Sequence, residues 1–323
     1  MSRVILSVTP NPTIDRVVYV RNFRLDAVVR AEREAVTPCG KGVNASMVIH
    51  ELGGDTLVLG LRAGFTGDLH ARLLDDLGVP HDLVPAEGES RMQTILVDEA
   101  VGKQSSISAP TLHATPAHLA ELIDRIDRHR SGAWGLICGG SLPQGLPADS
   151  YARILRHGRE RGLVTLLDSS GEGLRGGVAG LPYVLKINRH ELAMLDPCAS
   201  DLSDMETAVD HLLPRLGVWA SDAIVVTVGI RGAVAVTAEG VYTARALDVP
   251  AVNTAGAGDA MSGALMLARS RGQTWSQALA LGTAAAGAVV MTEGTGICRR
   301  VQVEALLPRV RVTALSTRGI ASD

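Results

Sequence analysis

The sequence predicts an α/β fold: a doubly wound, mostly parallel sheet flanked by helices, with a small β-sheet lid outside it. Three observations carry this reading. Short apolar runs rich in β-branched residues alternate with amphipathic runs of helical length through most of the 323 residues. Nearly every strand-like run ends in a polar or glycine-rich loop, the pattern of an open sheet that holds ligands at its strand ends. Two stretches, 16–37 and 81–108, interrupt the alternation with patterns of more exposed strands.

In chain order, Val4–Val8 is a buried strand closed by Thr9-Pro10-Asn11-Pro12. Asp15 follows just past its end, a place for a ligand or for a plain turn residue. Residues 16–37 alternate loosely and carry several arginines. Next, Gly40-Lys41-Gly42-Val43-Asn44 opens the amphipathic run Met47–Leu52. It lacks the GxxxxGK[ST] spacing and is no P-loop. It suits either an anion or sugar-hydroxyl site or an ordinary loop-to-helix junction. Asp55–Gly64 is a second buried strand, and Asp68–Leu77 a helix ended by Gly78-Val79-Pro80. Arg91–Asp98 and Gln104–Ser108 form a strand pair that, with 16–37, could make the lid. Ala117–His129, Ser150–Arg161 and Glu206–Leu213 are helices. Trp134–Cys138, Val164–Asp168, Tyr183–Ile187 and Ala223–Val228 are strands, and Val234–Thr237 with Gly240–Ala244 is a hairpin. Ala278–Met291, rich in Ala and Gly, is a buried, closely packed helix. One large domain over residues 1–311 results, with lid segments at about 12–38 and 90–109 inserted. A C-terminal tail, 312–323, follows it, polar and frayed from Ser316 onward.

Composition narrows the function. Hydrophobic residues at 46% allow a large core, while a net charge of −3 argues against a nucleic-acid partner. Aromatics at 3% make base- or sugar-stacking platforms implausible. Cys39, Cys138, Cys198 and Cys298 form no CxxC pair, which disfavours zinc or a disulfide framework and fits reduced thiols in the cytoplasm. The N-terminus has no signal-peptide pattern, and no run reaches the roughly 18 apolar residues of a membrane span.

The chemistry centres on Val252-Asn253-Thr254-Ala255-Gly256-Ala257-Gly258-Asp259-Ala260-Met261-Ser262-Gly263. A glycine turn runs into a helix whose first N–H groups and dipole favour an anion, above all a phosphate. Asp259 in the first turn could cap that helix, or could take a proton from a hydroxyl that attacks phosphorus. Strand-end loops should gather Asp15, Lys41, Asn44, Asp168, Asn188, Glu191 and Asp259, with glycine loops at 229–232 and 256–258, on one edge of the sheet.

Over residues 4–310 the chain resembles the ribokinase-like (PfkB) carbohydrate kinases. The resemblance rests on Thr9-Pro10-Asn11-Pro12-Thr13-Ile14-Asp15, Gly40-Lys41-Gly42-Val43-Asn44, Gly140-Ser141-Leu142-Pro143, Lys186-Ile187-Asn188-Arg189-His190-Glu191-Leu192 and Asn253–Asp259. The first motif is typical of the phosphofructokinase and tagatose-6-phosphate kinase branch. The resemblance implies Asp259 as base and the N–H groups of Gly256, Ala257 and Gly258 as an anion hole. It implies Lys186, Asn188, Thr227, Gly229 and Gly232 on ATP. Glu191, with Asn188, would organise Mg²⁺ and its waters. Asp15, Gly40, Lys41 and Asn44 would hold the acceptor sugar, and Arg91 its existing phosphate. The implied reaction is ATP-dependent phosphorylation of fructose 1-phosphate, fructose 6-phosphate or tagatose 6-phosphate. A homodimer through the lid is implied as well. Four departures stand out: Cys39 replaces a usual glycine, Ile187 a proline, Gln93 an asparagine, and Ser105–Pro110 lacks expected glycines; all but Ile187 lie near the implied acceptor pocket or lid. The alternatives are a kinase of an unphosphorylated sugar or nucleoside, which Lys41 and Arg91 oppose, and a sugar-phosphate sensor, which Asp259 and the NxxE element oppose. A dinucleotide oxidoreductase would need an early GxGxxG, and Val4–Asp15 has none.

Overall fold

The computed structural model describes residues 3–109, 111–199 and 205–315. Among these, one sheet runs in the order Val312–Leu315, Gly240–Ala244, Ala233–Thr237, Ala223–Thr227, Val184–Asn188, Val164–Ser169, Ala133–Gly140, Val4–Thr9, Thr56–Ala63, His81–Ala86. Neighbours from Ala223–Thr227 to His81–Ala86 pair in parallel, and the remaining strands add antiparallel at one edge. Chain order reverses at Val4–Thr9. Later strands run outward from it on one side to His81–Ala86, and on the other from Ala133–Gly140 to Ala223–Thr227. The crevice between these two branches is where an open α/β sheet takes its ligand. Asn11 Nδ2 donates to Ser141 Oγ across it at 3.1 Å.

A second sheet, in the order Arg33–Cys39, Thr13–Val20, Arg91–Asp98, Lys103–Ser108, hangs on this crevice. Thr13–Val20 begins four residues after Thr9, and Cys39 passes through Gly40 directly into the helix Lys41–Glu51. These short connections place Asp15 and Lys41 at the mouth of the crevice. Thr13–Val20 is more buried than an exposed lid strand should be. Val17 and Tyr19 pack with Ile95 and Val97 into a small apolar core closed by Ala35, Val252 and Ala255. The inner strand is thus covered by the body of the molecule.

Strand residues alternate between two faces. Leu6, Val8, Leu167, Leu185, Ile187, Ile224 and Val226 join one core. Ile5, Leu166, Val184, Ala223 and Val225 join the other, beneath the helices Lys41–Glu51, Ala257–Ser270 and Trp275–Val290. Asp168 and Lys186 share the parity of Leu166 and Val184, so both point toward the helices that carry Asn44 and Asp259.

Two assignments change. His81–Ala86, read from sequence as part of the irregular segment, is the edge strand of the large sheet beside Thr56–Ala63. Pro85 interrupts its pattern but is tolerated where one side of the strand needs no partner. Val312–Leu315, assigned to the tail, pairs antiparallel with Gly240–Ala244 and satisfies that strand's open edge. The rest of the proposed tail, 316–323, lies outside the described residues, as does Pro110.

One packing contact sets the site's spacing. A Cβ on Gly263 would stand 2.4 Å from the carbonyl oxygen of Ala45, so the helices carrying these residues touch backbone to backbone. Gly263→Ala should gain at most ~1 kcal/mol of helix propensity but lose about 1–3 kcal/mol to overpacking, since a backbone carbonyl cannot yield. A lowered urea midpoint at unchanged m-value is the expected result, and an unchanged or raised midpoint would mean the helices are free to separate.

Candidate active site

At the C-terminal ends of the strands a buried charge cluster forms. Asp168, 1% exposed, accepts from Lys41 Nζ on Oδ1 at 2.7 Å and from Lys186 Nζ on Oδ2 at 2.9 Å. Ser262 Oγ adds a third hydrogen bond, to Oδ2 at 2.7 Å. Burial works against the Asp168 charge, yet the two ammonium groups outweigh it and hold the carboxyl down at about 2. Lys41 Nζ also reaches Glu191 Oε1 at 2.7 Å. Burial opposes its charge too, but Asp168 and Glu191 overcome it and hold Lys41 above the usual lysine range. Lys41 is thus tied to Asp168 and Glu191 and lines one cavity together with Lys186 and Asn188.

Asp259 lies one helical turn before Gly263, on the same face of its helix. The close approach at Gly263 brings Asn44 to it, and Asn44 Nδ2 donates to Asp259 Oδ2 at 2.7 Å. Burial, then the negative charge of Asp168, push the Asp259 carboxyl up to about 6, against the pull of Lys41, Lys186 and the Asn44 amide. The helix Ala257–Ser270 has Gly256 at its N-cap and no side-chain cap. The capping role open from sequence is therefore not what Asp259 does. Its carboxylate faces Asn44, and of the first N–H groups Ala257 N makes only a long bond, to Thr254 O at 3.5 Å. Gly256 adopts φ 83°, and a Cβ there would stand 2.5 Å from Gly296 N.

The turn Thr292–Ile297, which sequence reasoning left without a role, lies against three parts of the site. Asn253 Nδ2 donates to Gly294 O at 2.7 Å, and Thr295 N to Thr37 Oγ1 of the small sheet at 3.3 Å. A Cβ on Gly296 would stand 2.7 Å from Asn44 Cγ. Its glycine spacing was the signal available in sequence, without an obvious ligand to attach to it.

On the acceptor side, Asp15, 2% exposed, faces Gln93 across the small sheet, and Arg91 pairs with Thr13 in the same ladder. Burial raises the Asp15 carboxyl, against the side chains of Thr295 and Cys39 and, last, the Arg91 charge. Among the described residues, Asp15 Oδ1, Asn44 Oδ1 and Arg91 Nε are buried without hydrogen-bond partners. Arg91 Nη1 donates weakly to Ser108 Oγ at 3.3 Å. Two acceptors and a cationic donor left open together suit a polyhydroxylated anion. Gly40 precedes the helix Lys41–Glu51 here, at its N-cap.

On the other side of Asp259 two cavities adjoin. One, of about 660 Å³, is lined by Lys41, Lys186, Asn188, Glu191, Thr227, Gly229, Gly258 and Asp259 among others. The second, of about 720 Å³, shares Thr227, Gly229 and Gly258, takes in Gly232, and continues along Leu247, Val249, Met261, Ala286 and Val290. A cationic chamber opening into an apolar slot is the shape of a nucleoside triphosphate, phosphates first. Asn188 and Glu191 form a capping box: Asn188 Oδ1 accepts from His190 N and Glu191 N at 2.9 Å, and Glu191 Oε2 accepts from Asn188 N at 2.8 Å. This leaves Asn188 Nδ2 as that side chain's donor toward the cavity. No cluster of three or more His, Cys, Asp or Glu stands ready for a metal among the described residues. With Glu191 already engaged on both oxygens, the donor set suits Mg²⁺ held through its waters and substrate phosphates, the ion's preferred mode.

A raised carboxylate in the first turn of a helix, two lysines in the adjoining chamber and an apolar slot beyond it suit a phosphotransferase that acts on a hydroxyl. Comparison with known proteins agrees. The model of the pfkB family carbohydrate kinases matches residues 9–301, and the chain belongs to that family. Similar relatives include an ATP-dependent 6-phosphofructokinase isozyme 2 of Mycobacterium tuberculosis, 30% identical over 93% of this chain and 88% of that one. Another is a 1-phosphofructokinase of Escherichia coli, 28% identical over 96% and 98%. Phosphofructokinase-2 of Escherichia coli, solved with substrates and products, superposes with a TM-score of 0.87 at 25% identity, covering 94% of this chain and 98% of that one.

A base with a pKa of about 6 must be unprotonated to act, so turnover should hold at pH 8 and fall as pH drops through about 6. Asp259→Asn should lower kcat by about 10² to 10⁴ with little change in KM for ATP. Steady-state kinetics across this range checks both, and near-normal turnover of the variant would remove Asp259 from the reaction.

Proposed function

We propose that the protein transfers the γ-phosphoryl group of ATP to a hydroxyl of a phosphorylated ketohexose: fructose 1-phosphate, fructose 6-phosphate or tagatose 6-phosphate. The observation that carries the phosphorylated acceptor is Arg91, whose buried Nε has no partner among the described residues and whose charge acts on Asp15. An unphosphorylated sugar would leave that cation unused. The names of the relatives, 6-phosphofructokinase and 1-phosphofructokinase, point the same way.

In this reading Asp15, Gly40 and Asn44 hold the acceptor's hydroxyls, and Arg91 takes its phosphate. Asp259 removes the proton from the attacking hydroxyl as the oxygen closes on phosphorus. The N–H groups of Gly256, Ala257 and Gly258 meet the charge of the moving phosphoryl group. Lys186 and the Asn188 amide bind the nucleotide's phosphates, and Thr227, Gly229 and Gly232 frame its passage into the apolar slot. Lys41, turned toward the phosphate chamber, serves the phosphoryl in transfer. Glu191 would hold the waters of Mg²⁺, which when bound supplies neutralisation of phosphate charge. Residues 12–38 and 90–109 act as the lid of the kinase domain 1–311. The lid exposes Leu25 (85%), Val28 (96%) and Ile107 (67%), apolar side chains suited to a second copy of the chain. No described helix is long and apolar enough to cross a membrane, in keeping with a cytoplasmic enzyme.

ATP consumption with Mg²⁺ against the three ketohexose phosphates, fructose, ribose and adenosine tests the acceptor. One phosphorylated ketohexose should dominate, and Arg91→Ala should raise its KM by about 10- to 100-fold, the loss expected for a hydrogen bond to a charged group. Selective turnover of an unphosphorylated acceptor would discard the Arg91 assignment. For the assembly, sedimentation should give a dimer for the native chain and a monomer when Leu25 and Val28 are both replaced by Asp. A native monomer at micromolar concentration would exclude it.

A further inference from the structure

Cys39 is the departure from the family pattern that the reaction scheme leaves unused. It ends the strand Arg33–Cys39 and is 5% exposed. Its carbonyl faces His70 Nε2 at 3.3 Å, and its backbone pairs with Thr13, two residues before Asp15. Burial, then the charges of Asp15 and Asp259, push its thiol well up, so sulfur stays protonated and neutral. Asn44 Nδ2 donates to Cys39 Sγ at 3.2 Å. The same nitrogen donates to Asp259 Oδ2 at 2.7 Å. An amide nitrogen carries two hydrogens, and here each has its own acceptor. The opposite edge of that amide, Oδ1, is buried and unpartnered among the described residues, as is Asp15 Oδ1.

We propose that Cys39 is a positioning residue for phosphoryl transfer: its sulfur fixes the Asn44 amide plane so that the nitrogen stays on Asp259 while Oδ1 stays open to an acceptor hydroxyl. This rests on the kinase reading above. Between them, Cys39 and Asp259 use up the donor edge of Asn44, which leaves only an acceptor edge for the sugar. The sugar's hydroxyls must then donate to Asn44 and to Asp15. The groups that face Asp259 are Asp168 from Val164–Ser169, Lys186 from Val184–Asn188 and Lys41 with Asn44 from Lys41–Glu51. Cys39 reaches it by a hydrogen bond through Asn44, and the thiol also feels the charges of Asp15 and Asp259. A glycine at this position would leave one amide hydrogen without its sulfur and the amide freer to turn.

The test is steady-state kinetics of the native enzyme, Cys39→Ala, Cys39→Gly and Cys39→Ser, with ATP and the best phosphorylated ketohexose, across pH 5 to 8. Cys39→Ala and Cys39→Gly should raise KM for the sugar phosphate about two- to tenfold, the range for one neutral hydrogen bond, and leave KM for ATP unchanged. They should also move the acid limb of kcat upward by roughly half a pH unit, because a less constrained amide stabilises the Asp259 carboxylate less. Cys39→Ser, which restores a small acceptor, should return both quantities toward native values. An unchanged acid limb and sugar KM in Cys39→Ala, with native-like thermal melting, would reduce Cys39 to filler and overturn the proposal. If Cys39→Ala melts early, the comparison of Cys39→Ser with Cys39→Gly decides instead, and equal acid limbs in these two would overturn it. A native enzyme inactive on every ketohexose phosphate would sink the kinase reading itself, an outcome distinct from either of these.

Discussion

Three hydrogen bonds converge on the carboxylate of Asp168, and the cleft is arranged around them. A carboxylate this buried would be strongly unfavourable alone. Lys41, Lys186 and Ser262 satisfy it from a helix, a strand and a second helix. In return it keeps two ammonium groups together at the phosphate end of the cleft, where unpaired they would repel each other. Its negative charge also reaches Asp259 and, after burial, is the largest cause of that carboxyl's rise. One group thus gathers the cations a phosphate needs and keeps a neighbouring acid weak enough to accept a proton. Phosphoryl transfer has both requirements. Here they share an anchor.

The fold supplies the spacing that such coupling needs. Parity along Val164–Ser169 and Val184–Asn188 turns Asp168 and Lys186 to the same face. The backbone contact between Gly263 and Ala45 sets Asp259 against Asn44 from that side. The small sheet, joined to the crevice by short connections, then brings Asp15 and Arg91 to the opposite flank. The two flanks therefore meet at Asp259 without a long loop between them, a layout that suits a fixed geometry between ligands.

Much of this was legible in sequence, for identifiable reasons. Strand-end motifs such as Asn253–Asp259 and Lys186–Glu191 are local, and local chemistry survives in the one-dimensional record. The two-sheet architecture followed from the alternation of periods and from the two stretches that broke it. What was not legible depended on contacts distant in sequence. Asp168 was gathered into the constellation, but nothing near it announced two lysines from residues 41 and 186. Lys41 was read from its neighbours as an anion or sugar-hydroxyl group, and the resemblance put it on the acceptor. The direction of its side chain is set by Asp168 and Glu191, 127 and 150 residues away. His81–Ala86 and Val312–Leu315 escaped for a different reason: edge strands carry weak patterns, since only one side of each must pair. The capping box at Asn188 and Glu191 was present in plain view, but the same residues in a phosphate-binding motif drew the functional reading first.

The turn Thr292–Ile297 has a consequence for how the two ligand pockets communicate. Its residues lie against Thr37 of the small sheet, against the glycine turn at Gly256, and against the amide of Asn44. A displacement of the small sheet would press on this turn, and through Gly296 on Gly256 at the start of the helix Ala257–Ser270. The small sheet and the glycine turn therefore share one structural part, and were ligand binding on one side to shift it, thermodynamic reciprocity would give the influence equal strength in both directions.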